Sequence, residues 1–474
     1  MGNGPTEDDL PRSRRDLEGR PRAVVVGVQL PGVEDSDFES SLAELERLGA
    51  TLGLRVVGRV TQRRAALAAS TVLGTGKLVA LARWTGGTGV VPVGPAQKRK
   101  GGRPVEDPVE DSFDRDEADE ESFEDDARGP VEETATTVLV DHDLAPSQAR
   151  NLERATGAEV LDRASVILSI FQRHARTREA KLQVEIARLV YLAPRLREAG
   201  GGADRQRGGI GGKGAGESAL ELDRRKIRDR IAELRAEIEA VQRESDVRRA
   251  RRVETGDTVA LVGYTNAGKS SWFRMLTGGE VYVADELFAT LDTTVRALSP
   301  EARPRVLVSD TVGFIKRLPH DLVASFRSTL EEARDASLLV HVVDASDPAF
   351  RPQLEVTRQV LRELEADRAP SLLVLNKIDR VDESTRGLLA LEFPDALQAS
   401  ARSRDDLEAL RAKIVAHFAK GMAETELFVP YAKSALVARL HQGATVLSEV
   451  HEDEGTRLKV RAPHAFVAQI RAQL

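Results

Sequence analysis

Cysteine is absent from all 474 residues, which excludes disulfides, thiolate metal ligands and cysteine nucleophiles. Long apolar runs are absent too: none approaches the roughly 20 residues needed to cross a bilayer. The N-terminus, "MGNGPTEDDLPRSRRDLEGRPR", lacks the apolar centre of a secretory signal. Its first residues fit the short myristoylation pattern, with Thr6 in sixth place, while the rest of the chain reads as bacterial. The expectation is a cytoplasmic protein, with peripheral attachment at a membrane as the other location. An excess of positive charge is also lacking. A formal net charge of -7 argues against a globally basic nucleic-acid binder, but the acid is concentrated in one segment and local basic patches stay open.

What is present is enough apolar residue, 41%, to build real cores, beside 31% charged residue for solvated surface. The length suggests about three domains. Residues 1–22 are polar and read as a disordered leader. Residues 23–164 alternate strand and helix: "AVVVGVQL", then "SDFESSLAELERLGATLGL" capped by Ser36 or Asp37, then "RVVGRVTQ", "TVLGTGKLVALARW" and "TATTVLVDHDL". Within them, about 88–131 are dense in Asp and Glu and short of apolar residues, so the segment reads as a disordered acidic insertion. Residues 165–252 are helical. Leu182, Ile186, Leu189 and Val190 share one face, and Leu220, Ile227, Ile231, Leu234, Ile238 and Val241 recur at three- and four-residue steps. That seam predicts two antiparallel helices zipped into a hairpin. Residues 253–420 alternate strands and helices as a doubly wound α/β domain. Residues 421–474 read as strand, helix and a hairpin turned at Glu454 and Gly455, a small appended α/β domain.

"GYTNAGKS", residues 263–270, has the spacing G-x-x-x-x-G-K-S between a strand and a helix. Loop N–H groups in that setting wrap phosphates, and the helix N-terminus adds positive potential. Gly263, Tyr264, Thr265, Asn266, Ala267 and Gly268 would form the cradle, and Ser271 follows it. Lys269 would reach the β- and γ-phosphates, and Ser270 would give a hydroxyl to magnesium. "DTVG" supplies Asp310, Thr311, Val312 and Gly313, the aspartate for magnesium and the Gly313 N–H for the γ-phosphate. "NKID" supplies Asn376, Lys377 and Asp379. A buried Asp379 carboxylate would pair with guanine N1–H and its amino group, and reject adenine. "QASAR" adds Ser400, Ala401 and Arg402, with backbone support for guanine O6. The order and spacing together identify a GTP-binding domain needing Mg2+. Between the loop and "DTVG", Thr290 is the best candidate for a second magnesium hydroxyl, with Thr293 and Thr294 as rivals.

An upstream run holds Gly209, Gly211 and Gly214 as G-x-G-x-x-G, yet it follows polar "GGADRQR" and opens a charged helix, so it fails as a dinucleotide turn. It reads instead as a flexible tip, 200–216, whose Arg205, Arg207 and Lys213 can pair with phosphate. The string "GTGK" at 74–77 lacks phosphate-loop spacing. Phe314 stands where many GTPases have a water-orienting glutamine, which predicts slow turnover by the protein alone. Catalysis would then fall to Lys269, Asn266 and Gly313. Asn266 either braces the loop or holds a potassium ion beside the phosphates.

The blocks "LAPSQARNLE", "RTREAKLQVEIARLVYLAPRL", "GGIGGKGAGESALELDRRKIRDRI", "LFATLDTTVR" and "DTVGFIKRLPHDLVASFRSTLEEA" closely resemble the HflX-type GTPases. The resemblance implies a P-loop GTPase domain, preceded by an α/β N-terminal domain with a long helical hairpin and followed by a small α/β domain. It also implies a monomer that docks on the large ribosomal subunit, with the tip near the peptidyl-transferase region of its RNA, and splits stalled or idle ribosomes under stress. Departures are Thr293 for a proline, Ser169 for an acid, Arg402 for a lysine, and the acidic insertion; none removes a phosphate or magnesium ligand. Two rival readings are a non-hydrolysing GTP-dependent RNA-binding switch and a regulatory GTPase acting through a protein partner.

Overall fold

The apolar runs become the central strands of two sheets, one parallel and one parallel but for a single strand, and an antiparallel sheet follows. The computed structural model describes residues 19–91, 134–199, 219–255, 257–279, 287–288, 293–302, 305–316, 332–420 and 422–474. By its contacts the chain divides into two units, one formed by residues 1–170 and 190–227, the other by 171–189 and 228–474.

In the first unit, β1 (Arg22–Gln29), β2 (Arg55–Arg63), β3 (Thr137–Val140) and β4 (Glu159–Asp162) form a parallel sheet in the order β2-β1-β3-β4. "AVVVGV" is apolar without alternation because β1 lies between neighbours and is covered on both faces. Helices α1 (Asp35–Thr51), α2 (Thr75–Thr85) and α3 (Pro146–Thr156) connect the strands. Val24, Val26, Val138 and Val140 pack against Leu78, Leu81 and Leu152 in one core. Helix α1 begins earlier than the sequence suggests: Glu34 is its cap residue, with no side-chain cap bond, so neither Ser36 nor Asp37 caps it. Asp35, inside the first turn, instead accepts from Gln29 Nε2 at 2.8 Å and Arg63 at 2.7 Å. The Gly74–Lys77 string opens α2, and its Gly74 N–H donates to Gln62 Oε1 at 2.9 Å.

The strand ends of this sheet are filled with its own charges. Arg163 is 2% exposed and donates to Asp141 Oδ1 at 2.7 Å and to Glu44. Asp141 also accepts from Ser41 Oγ at 2.6 Å. Asp162 accepts from Tyr191 Oη and Arg195 Nη2, both at 2.5 Å, and the Arg195 guanidinium lies 3.4 Å over the Tyr191 ring. Burial, then the Asp162 charge, pushes the Tyr191 phenol well above its ordinary range.

The helical stretch is broken where one helix from Ser165 onward was expected. Helix α4 (Arg163–His174) stops, and α5 (Arg178–Ala199) begins after Thr177, whose hydroxyl accepts from the Ala180 N–H at 3.2 Å. Helix α6 (Ala219–Thr255) follows. Within the second unit, Glu185 pairs with Arg230 at 3.0 Å and Arg178 with Glu237 at 3.1 Å. Seven residues forward on α5 match seven backward on α6, which is antiparallel pairing. Leu182 and Ile186 are buried, and Leu234 is fully buried.

The second unit's six-stranded sheet runs β10-β9-β8-β5-β7-β6. Its strands are β5 (Asp257–Val262), β6 (Thr294–Ala297), β7 (Val306–Asp310), β8 (Leu338–Asp344), β9 (Ser371–Asn376) and β10 (Leu397–Gln398). All neighbours are parallel except β6, which pairs antiparallel with β7. Strand β6 was not foreseen; "TVRA" is short and half-polar, and only its pairing with β7 makes it a strand. Helix α7 (Lys269–Thr277) sends Trp272, Phe273 and Leu276 into the core beside Val259, Leu261, Val308 and Val340.

The C-terminal strands β11 (Met422–Pro430), β12 (Thr445–Glu452) and β13 (Gly455–Pro463) form an antiparallel sheet in the order β11-β13-β12. β11, the expected first strand, pairs antiparallel with β13 of the expected hairpin. Two helices cover the sheet, Ala435–Gly443 and an unforeseen His464–Gln473, whose Val467 and Ile470 complete the core. Among the described residues no helix is long and apolar enough to cross a membrane.

Candidate functional site

The loop 263–268 leaves β5 and runs into α7. Parallel strands place this turn at the carboxyl edge of the sheet, beside the ends of β7 and β9, where ligands of open α/β sheets bind. Gly268 takes φ 98°, and a Cβ there would fall 2.2 Å from Asn376 Nδ2. The glycine therefore serves a close approach: Asn376 Nδ2 donates to the Ala267 carbonyl at 2.7 Å, and Asn376 Oδ1 accepts from the Ala401 N–H at 3.1 Å. One buried amide ties the phosphate-type loop to the segment after β10.

Lys269 is 6% exposed, and its Nζ donates to the Gly263 carbonyl at 3.1 Å and the Tyr264 carbonyl at 2.8 Å. Burial lowers its pKa to about 8, against the Asp310 carboxylate, which raises it. An ammonium held by two neutral carbonyls in a desolvated pocket gains most from an incoming anion. Asp310, at the end of β7, is 2% exposed. Thr311 spends its hydroxyl on the Leu261 carbonyl at 2.7 Å, so it braces β5 rather than facing a ligand. Thr265, Ala267, Val312 and Phe314 are buried; Ser270 and Ser271 are half-buried in the first turn of α7. Asn266 sits at φ 58° with its side chain exposed, and among the described residues none makes a hydrogen bond to that side chain.

Around Asp379 the carboxylate differs from its sequence-based picture. Its side chain is 36% exposed rather than buried, with Ser400 and Arg402 beside it among the described residues. Ser400 Oγ donates to Oδ1 at 2.6 Å, and Arg402 Nη1 lies 3.6 Å from Oδ2. The Ser400 hydrogen bond, then backbone bonding and the Arg402 and Arg380 charges, hold its pKa below the ordinary carboxylate range against partial desolvation. The Ser400 N–H is taken by Asp406 Oδ2 at 2.8 Å. A base oxygen near Ser400 and Ala401 would share amides that already have acceptors.

Three features were missed. Lys377 pairs with Asp344 at 2.7 Å, fixing the turn after β9 from the end of β8; no short string joins these two residues. Tyr264 Oη accepts from the Lys316 N–H at 2.7 Å, which no motif announces. Phe288, at φ 58°, is buried edge-to-face against Phe171 with ring centroids 4.7 Å apart. Thr294 lies in β6 opposite Asp310 rather than in a loop, and Thr293 directly precedes that strand. Thr290, Arg205, Arg207 and Lys213 lie outside the described residues, as do most of the acidic insertion and the glycine-rich tip.

The donors present suit magnesium: a serine hydroxyl at Ser270 and the Asp310 carboxylate are hard oxygen ligands, and the chain has no cysteine thiolate to compete.

Three family descriptions match the chain. "GTP-binding GTPase N-terminal" matches residues 39–93 and 125–172, "GTP-binding GTPase Middle Region" matches 174–252, and "50S ribosome-binding GTPase" matches 258–377. A curated relative from Gluconacetobacter diazotrophicus, GTPase HflX, is 57% identical over 455 residues, 96% of this chain and 98% of the relative. GTPase HflX of Escherichia coli is 42% identical over 69% of this chain and 78% of its own. A GTP-binding protein of Sulfolobus solfataricus, solved with GDP, aligns with TM-score 0.40 and 22% identity over 83% of this chain and 97% of that one.

Proposed function

Because the chain belongs to the HflX family of GTPases, we propose that it couples GTP hydrolysis to binding of the large ribosomal subunit and to separation of ribosomal subunits. The observation that supports this most is the pocket at one sheet edge, where buried Lys269 and Asp310 stand beside a loop stitched by Asn376 to the Asp379 and Ser400 turn.

Loop N–H groups and Lys269 take the β- and γ-phosphates. Ser270, Asp310 and a switch threonine, Thr290, would hold magnesium, which would neutralise phosphate charge. Asp379 pairs with the guanine N1–H and amino group. Adenine lacks that donor pair, and the carboxylate would lose water without replacement. Water attacks the γ-phosphate in line, and the developing charge is stabilised by Lys269 and by the Gly313 N–H. Phe314 is 2% exposed and cannot orient water, so turnover by the protein alone is slow and the ribosome completes the site. The exposed Asn266 amide favours a cation-holding role over loop bracing; equal hydrolysis rates in potassium and sodium buffers would remove that role.

The domain division 23–164, 165–252, 253–420 and 421–474 belongs to the same proposal, with Arg205, Arg207 and Lys213 meeting ribosomal RNA phosphates. The test is co-sedimentation with ribosomes, with and without a non-hydrolysable GTP analogue, alongside single-turnover hydrolysis. Analogue-dependent binding and ribosome-stimulated cleavage are expected. Equal rates with and without ribosomes would overturn it, and binding with no cleavage at all would make the protein an RNA-binding switch.

A further inference from the structure

Three hydrogen bonds join the phosphate-type loop to the segment after β7. The Thr265 N–H donates to the Phe314 carbonyl at 2.8 Å, and the Phe314 N–H to the Gly263 carbonyl at 3.1 Å. Those two are backbone pairs and depend little on side-chain identity. The third is the Lys316 N–H to Tyr264 Oη at 2.7 Å, which only a side chain with an oxygen at that reach can make. Tyr264 is 6% exposed and Ile315 is 1% exposed, so this bond lies in a largely desolvated setting.

The stitched segment carries Gly313 directly onto the loop. A Cβ on Gly313 would meet Thr265 Cγ2 at 2.8 Å, Thr265 Cα at 2.9 Å and Lys269 Nζ at 3.1 Å. The Lys269 ammonium is fixed from the other side by the Gly263 and Tyr264 carbonyls. Tyr264 thus touches both partners of one arrangement: its carbonyl orients the lysine, and its hydroxyl holds the chain that bears Gly313.

Resting on the GTP reading above, we propose that Tyr264 is a positioning residue: its hydroxyl tethers the 313–316 segment so that the Gly313 N–H meets the γ-phosphate beside Lys269. The tether acts on the terminal phosphate alone. GDP, which has none, gains nothing from it. A protein with Phe314 in place of a water-orienting side chain depends more heavily on such pre-placed donors.

Tyr264→Phe removes the hydroxyl and keeps the ring. Affinities of the full chain for GDP and for a non-hydrolysable GTP analogue are measured together with single-turnover hydrolysis. The expected result is an analogue-to-GDP affinity ratio lowered about fivefold, and slower cleavage, the scale of one neutral hydrogen bond. Lys316→Pro removes the donor and keeps the tyrosine; it should lower the ratio similarly, and the double variant should fall no further. An unchanged ratio in Tyr264→Phe, equal loss of GDP and analogue, or additive losses in the double variant would overturn the tether. Failure of the unaltered protein to bind any guanine nucleotide would instead overturn the reading beneath it.

Discussion

At the carboxyl ends of the amino-terminal sheet, Asp141 and Asp162 are each answered by an arginine of the same unit, Arg163 and Arg195. At the carboxyl ends of the GTPase sheet, Lys269 faces carbonyls and stands near Asp310, and Asp379 is left about a third exposed. Both sheets have parallel strands feeding loops to one edge. The first pairs its acids with internal arginines, and the second leaves its lysine on neutral carbonyls and one acid partly exposed. Topology supplies the edge; how the charges are matched decides whether it is a site.

The contrast is broken most severely at Lys269. Lys269→Ala should lower single-turnover GTP cleavage by about three orders of magnitude, the scale of losing one main charge stabiliser. A loss under tenfold would mean that the loop N–H groups carry the phosphate alone. In the other sheet, Arg163→Met should leave Glu44 and Asp141 buried without their cation, destabilising the first unit by about 3–5 kcal/mol. Denaturant unfolding of the full chain should show an earlier first transition with nucleotide affinity retained; an unmoved transition would mean that the ion pairs add little.

Histidines sharpen the comparison further. His142 of the amino-terminal sheet bonds the Val28 carbonyl at 2.8 Å, whereas His341 on β8 is 8% exposed, with no hydrogen-bond partner for Nδ1 among the described residues. Burial, helped by the Arg358 charge, lowers the His341 pKa to about 4 from an ordinary 6.5. The folded value is the lower one, so the unfolded chain binds the proton first. Stability is complete above pH 6.5 and falls as pH drops toward 4, by about 3 kcal/mol at most. His341→Leu should flatten the stability slope between those pH values, and an unaltered slope would assign the acid sensitivity elsewhere.

Much of the GTPase pocket could be read from short strings because phosphate binding needs backbone amides at fixed spacing, and Gly268, Lys269 and Asp310 occupy that spacing. The Lys377–Asp344 pair and the Tyr264–Lys316 bond could not. Their partners lie 33 and 52 residues apart, and neither partner belongs to a periodic pattern. Strand β6 escaped for a similar reason: it is a strand only through β7. The missed C-terminal helix and the break at 175–177 are boundary questions, which local preference resolves poorly when tertiary packing decides them.

Composition and local order determined the parallel α/β pattern, the position of the phosphate-type loop and the kinship with HflX GTPases, because each rests on residues near one another in the chain. Only the tertiary structure decided that Asp379 stays partly open, that Arg163 pairs with Asp141 and Glu44, and that Tyr264 holds the segment bearing Gly313. Those outcomes depend on distances and desolvation between remote segments, and no single stretch of sequence carries them.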